Sequence, residues 1–166
     1  LLRFAVPVLF SLFLQALYGG VDLLVVGQFA STSDVSGVAT GSMLLQTVTM
    51  IITGLSMGIT ILVGEKTGMK KLQEAGQAVG TGICLFAVFA LVLTAVMTGA
   101  AGLLARLMHA PQEAYSHTLS YIRICGAGSV FIVSYNVLGA VFRGIGDSKT
   151  PLMTVAIACV INIAGD

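Results

Sequence analysis

From Phe4 to Ala30 the chain is one apolar run that carries a single charge, Asp22. Charge-free stretches recur at Val35–Gly64, Ala75–Ala105 and Ile124–Phe142, and a further apolar stretch, Thr150–Gly165, closes the sequence. About 20 consecutive apolar residues cross the hydrocarbon of a bilayer as a helix. The runs are continuously apolar rather than alternating, which fits helices and not a β-barrel. The pattern predicts an all-α integral membrane protein with about five transmembrane helices, at 4–30, 37–64, 77–104, 112–141 and 151–166, the last cut short.

Composition sharpens this picture. The 166 residues are 57% hydrophobic and 9% charged, more apolar surface than a soluble domain of this length can hide. Twenty glycines against three prolines suit closely packed membrane helices. Gly54 and Gly58 are expected to form such a packing face on the second helix. The first run is too long for the apolar region of a signal peptide and has no clear small-residue cleavage site. Cys84, Cys125 and Cys159 lie in apolar stretches and read as small buried hydrophobes. A net charge of +1 offers no basis for binding nucleic acid.

The charges that remain set an orientation. Of the eight Lys and Arg residues, Arg3, Lys66, Lys70, Lys71, Arg143 and Lys149 fall at one end of the predicted bundle, and Arg106 and Arg123 towards the other. The positive-inside rule then places the N-terminus and the 65–76 and 143–150 loops in the cytoplasm. In a bacterium this is the cytoplasmic membrane. Pro111 and Pro151 suit the first turns of the fourth and fifth helices. Ser148 and Thr150 are the candidate caps of the fifth. Tyr115 and Tyr121 suit an aromatic belt. Pro7 lies inside the first helix, where it removes a backbone hydrogen bond and is expected to kink it.

Asp22 carries the chemistry. A carboxylate at the centre of a membrane helix costs about 2.5–3.5 kcal/mol on insertion scales, so it belongs on a bundle interior or a water-filled cavity. Tyr18 is four residues before it on the same helix face, placed to donate a hydrogen bond to the carboxylate. Asn162 and Asp166 repeat that spacing on the fifth helix. At the helical rise Asp22 lies about 27 Å and Asp166 about 22 Å from the cytoplasmic ends of their helices, so the two acids reach a similar level. Together the four residues form an oxygen-rich cluster. It suits a hard cation such as Na⁺, or a proton if the repulsion of two carboxylates raises one pKa. The alternative is a structural hydrogen bond that joins the first helix to a neighbour. Gln46, Thr47 and Thr49 either line a cavity or bond between helices.

Other constellations lead nowhere catalytic. Arg143–Pro151 superficially resembles a phosphate loop, but Ser148 stands where the motif needs glycine and no strand precedes it. His109 and His117 have no metal-ligand spacing. No arrangement supports nucleophilic catalysis, so neither enzyme activity nor a cofactor is expected.

In order and spacing, several stretches resemble one family. They are Pro7 to Gly27, with Gln-Ala-Leu-Tyr-Gly-Gly-Val-Asp; Gly54–Gly68; Tyr121-Ile-Arg-Ile124; Arg143-Gly-Ile-Gly-Asp-Ser-Lys-Thr-Pro151; and Asn162-Ile-Ala-Gly-Asp166. The chain resembles the multidrug and toxic compound extrusion (MATE) antiporters, and their DinF-like branch most. The resemblance implies twelve helices in two six-helix lobes, of which residues 1–166 would be most of the N-terminal one. It implies a cation site at Asp22, Tyr18, Asn162 and Asp166, a kink-forming proline at Pro7, and a helix-six contribution that this sequence lacks. The implied activity is Na⁺- or H⁺-coupled export of drugs or other amphiphilic organic compounds, with membrane lipid and the missing C-terminal lobe as partners. The alternatives are a lipid-linked oligosaccharide flippase of the same superfamily, or a non-transporting membrane scaffold subunit.

Overall fold

The computed structural model describes residues 2–165. Seven α-helices account for nearly all of them: α1 (Leu2–Phe29), α2 (Thr32–Gly68), α3 (Leu72–Gly99), α4 (Ala101–Leu107), α5 (Tyr115–Ala127), α6 (Ser129–Gly144) and α7 (Lys149–Gly165). A 3₁₀ turn, Gln112–Ala114, leads into α5. In lipid every backbone polar group must be satisfied within the chain, and helices do this segment by segment. Among the described residues, three helices are long and apolar enough to cross a membrane, and a fourth crossing follows if α5 and α6 count as one bent span. The 17-residue α7 is apolar but shorter.

Helix ends differ from the expected bounds for local chemical reasons. α2 begins at Thr32, because Ser31 and Asp34 form a reciprocal capping box across its first turn. It continues through Glu65 and Lys66, where the Lys66 ammonium pairs with Glu74 at 2.8 Å. Glu74 also holds Lys71 at 2.9 Å and sits in the first turn of α3, whose N-terminal dipole favours an acid. At its far end α3 stops at Gly99, and Ala100 separates it from the short α4.

The single fourth helix expected over 112–141 is instead two helices, bent by 51° at Gly128. The bend has identifiable causes. Gly126 approaches α3 so closely that a Cβ there would stand 2.7 Å from the Cβ of Met97. Beyond it, Gly128 and Ser129 adjoin, and Phe131 N–H donates back to the Gly128 carbonyl at 3.0 Å in a tightened turn.

α2 is the central element, packed on α3, α5 and α6. One core joins Ile52, Ile59 and Val63 of α2 to Phe86 and Ala90 of α3 and to Val133, Val137 and Ala140 of α6. A second joins Met97, Ala101, Ala105 and Ile122. Polar bonds add to the α2–α6 contact: Thr53 Oγ1 donates to Asn136 Oδ1 at 2.9 Å, and Thr60 Oγ1 to the Ala140 carbonyl at 3.0 Å. Thr47 and Thr49, by contrast, bond only to carbonyls of their own helix.

Gly54 and Gly58 do not form the expected packing face, since a Cβ at either position would meet nothing within 4 Å. Gly37 and Gly41 of α2 do admit a neighbour, seating His117 and Tyr121 of α5. α1 and α7 pack chiefly on each other, and only sparingly on α2 and α6. α1 runs unbroken through Pro7, which lies in its second turn.

Candidate cation site

The α1–α7 pairing places the candidate residues. Tyr18 and Asp22 are both partly buried and lie one turn apart on α1. No hydrogen bond joins them, and among the described residues the Asp22 carboxylate accepts none. The Tyr18 ring lies within electrostatic reach of Cys159 on α7 and Tyr135 on α6.

Asp22 has a neighbour that the sequence pattern did not single out. Tyr121, read as part of an aromatic belt, lies within electrostatic reach of the carboxylate. Its ring packs onto Gly41 of α2. Tyr121 is two turns inside α5 rather than at its end, and that depth was the available signal against a belt position. Tyr135 carried no such signal.

Asn162 lies on α7, the helix that packs on α1, three residues after Cys159. Its Oδ1 is buried and has no hydrogen-bond partner among the described residues. Leaving such an acceptor unsatisfied costs about 1–3 kcal/mol. An amide oxygen held this way fits a site that a hard cation completes, because such ions take carboxylate, amide and water oxygens. Asp166, the fourth member of the expected cluster, lies outside the described residues. Among those described, no three His, Cys, Asp or Glu residues group as a metal site.

The ends of the bundle anchor these helices. Asp147, not Ser148 or Thr150, caps α7. Its carboxylate accepts from Lys149 N–H at 2.9 Å, from Thr150 N–H at 3.1 Å and from Thr150 Oγ1 at 2.6 Å. The Thr150 hydroxyl holds the Asp147 carboxyl below the usual carboxylate range. Gly144, at the end of α6, packs on Val63 and Thr60 near the end of α2, so the 65–71 and 143–149 loops share one end of the bundle. At the opposite end His117 Nδ1 lies 2.9 Å from Asp34 Oδ1, tying α5 to the first turn of α2.

The sequence pattern of the MatE family matches residues 7–166. Among curated proteins, the chain is 28% identical to the probable multidrug resistance protein YpnP of Bacillus subtilis (strain 168), over 98% of this chain and 36% of that one. It is 30% identical to the probable multidrug resistance protein YoeA of the same organism, over 97% of this chain and 35% of that one. With the probable multidrug resistance protein NorM of Thermotoga maritima the identity is 24%, over 98% and 35%. Among solved structures, a MOP superfamily transporter from Pyrococcus furiosus superposes with a TM-score of 0.91 at 23% identity, over 98% of this chain and 36% of that one. This likeness is one of fold. The chain thus spans about a third of the length of the relatives it matches.

Proposed function

This chain belongs to the MatE family of membrane transporters, and on that premise we propose that it forms most of the N-terminal lobe of a cation-coupled exporter. In this reading Na⁺ or H⁺ enters down its gradient and binds between α1 and α7, at Asp22, Asn162 and Asp166, with Tyr18 beside them. Amphiphilic organic compounds leave in exchange through a cavity completed by the C-terminal lobe. The N-terminus and the basic loops face the cytoplasm. The observation that carries the proposal is the buried, unpartnered Oδ1 of Asn162, on the helix that packs against the one bearing Asp22.

Coupling requires that the ion bind one conformation better than the other, since equal binding shifts no equilibrium. The α1–α7 contact suits that role, because these two helices hold the rest of the bundle only loosely. Bending of α1 around Pro7 would change how Tyr18 and Asp22 face Asn162. The test is export by the full-length protein in vesicles, driven by an imposed Na⁺ or pH gradient. Asp22→Asn keeps size and hydrogen-bonding capacity, so membrane insertion should be near normal while gradient-driven export is lost. Tyr18→Phe should weaken it less, because the charge remains. Wild-type export by Asp22→Asn at every pH and Na⁺ concentration would show that the acid is structural.

A further inference from the structure

α2 and α3 run antiparallel away from the turn that joins them. Lys66 pairs with Glu74 beside the turn. Further along, Gly82 of α3 lies against Ile59 of α2, where a Cβ would stand 2.8 Å from Ile59 Cδ1. A groove of about 490 Å³ follows this contact, within the range of roughly 300–1,000 Å³ that holds small ligands. Its floor is formed by Ile59, Gly82 and Phe86, all buried, and its rims by Leu55, Leu62 and Leu85, all exposed. Gly58 keeps it open, since a Cβ there would meet nothing within 4 Å.

The charge in this groove is confined to one end. Lys66 and Glu74 close it beside the turn, with Gln77 and Thr81 following on α3. Lys71 holds the same Glu74 carboxylate at 2.9 Å, and Lys70 and Glu65 are exposed nearby. Three ammonium groups against two carboxylates leave this end positive. Met69 and Leu72, 56% and 71% exposed, stand among the lysines. Large apolar side chains beside ammonium groups suit the boundary between acyl chains and headgroups. The length agrees: at the helical rise Leu55 lies about 16 Å from Lys66, and one leaflet contributes about 15 Å of hydrocarbon.

We propose that the α2–α3 groove is a binding site for an anionic phospholipid of the bilayer, with one acyl chain along Ile59, Gly82 and Phe86 and the phosphate at Lys66, Lys70 and Lys71. Basic pockets between membrane helices take anionic headgroups in this way. Charge complementarity selects the headgroup, and the match between groove and leaflet depth selects a lipid over a shorter amphiphile. The assignment is independent of the coupling ion and of the exported compound.

Native mass spectrometry of the full-length protein in detergent measures binding of phosphatidylglycerol and of phosphatidylcholine with the same acyl chains. The wild type should bind phosphatidylglycerol more tightly by roughly fivefold or more, the worth of one ammonium beside an anionic headgroup. Lys66→Gln should remove most of that preference. Lys149→Gln, at the same end of the bundle but outside the groove, should keep it. Gly58→Leu leaves every charge in place and fills the groove from a position that faces open space, so the fold should survive. It should weaken phosphatidylglycerol binding by roughly tenfold, the worth of about a dozen lost carbon contacts. Gly54→Leu, equally open but not part of the lining, should bind as the wild type does. Equal affinity for the two lipids, wild-type binding by Gly58→Leu, or an equal loss in Lys149→Gln would overturn the proposal. Displacement of the lipid by tetraphenylphosphonium, an amphiphilic cation, would also overturn it and assign the groove to exported compounds. The measurement needs no gradient, so its failure is distinct from a failure of the coupling assigned to Asp22.

Discussion

Gly41 of α2 lies directly beneath the ring of Tyr121 of α5, with no room between them for a methyl group. The contact joins the central helix to a tyrosine within electrostatic reach of Asp22. Gly41→Ala should destabilise the full-length protein by about 1–3 kcal/mol, the usual cost of overpacking a close contact. Gly54→Ala and Gly58→Ala, which face open space, should have little effect. Thermal unfolding in detergent compares the three, and equal sensitivity at Gly54 or Gly58 would contradict the assigned packing.

Asn162→Leu separates the two possible uses of the amide. It removes a buried acceptor that has no partner among the described residues. Stability without Na⁺ should therefore hold or rise, by up to about 1–3 kcal/mol. If Na⁺ is the coupling ion proposed above, it should raise the melting temperature of the wild type and raise that of this variant far less, because binding to the folded state alone stabilises it. A loss of ion-free stability would mean that the amide bonds within the protein.

Asp147 gives a pH dependence with a definite sign. Its folded pKa lies below the ordinary value of 3.8 because Thr150 and the first amides of α7 donate to the carboxylate. Its contribution is therefore complete above that ordinary value and is lost as pH falls through the lower, folded one. Hydrogen exchange of the first-turn amides of α7 should accelerate in Asp147→Ala at neutral pH. The variant should then show a weaker acid dependence than the wild type. Unchanged protection would place the cap elsewhere.

Orientation is checked by single cysteines in a background lacking Cys84, Cys125 and Cys159. A cysteine at position 70 should resist an impermeant reagent added outside intact cells, and one at position 109 should react. The reverse pattern would invert the proposed topology.

The helices were legible in the sequence because each must supply its own apolar surface and satisfy its own backbone in lipid. The bias of Lys and Arg towards one end was equally local. Asp22 and Asn162 were also visible, since a polar group deep in an apolar run is rare enough to be noticed singly. What sequence spacing could not show is which surfaces meet. The same small side chain is a packing site at Gly41 and open space at Gly54, depending on where α5 lies. The bend at Gly128 came from the approach of Gly126 to Met97, a contact between residues 29 positions apart. Tyr18 and Asp22 share a face, as the spacing required, yet no hydrogen bond joins them. The seat of Tyr121 on Gly41 likewise exists only once α5 packs on α2.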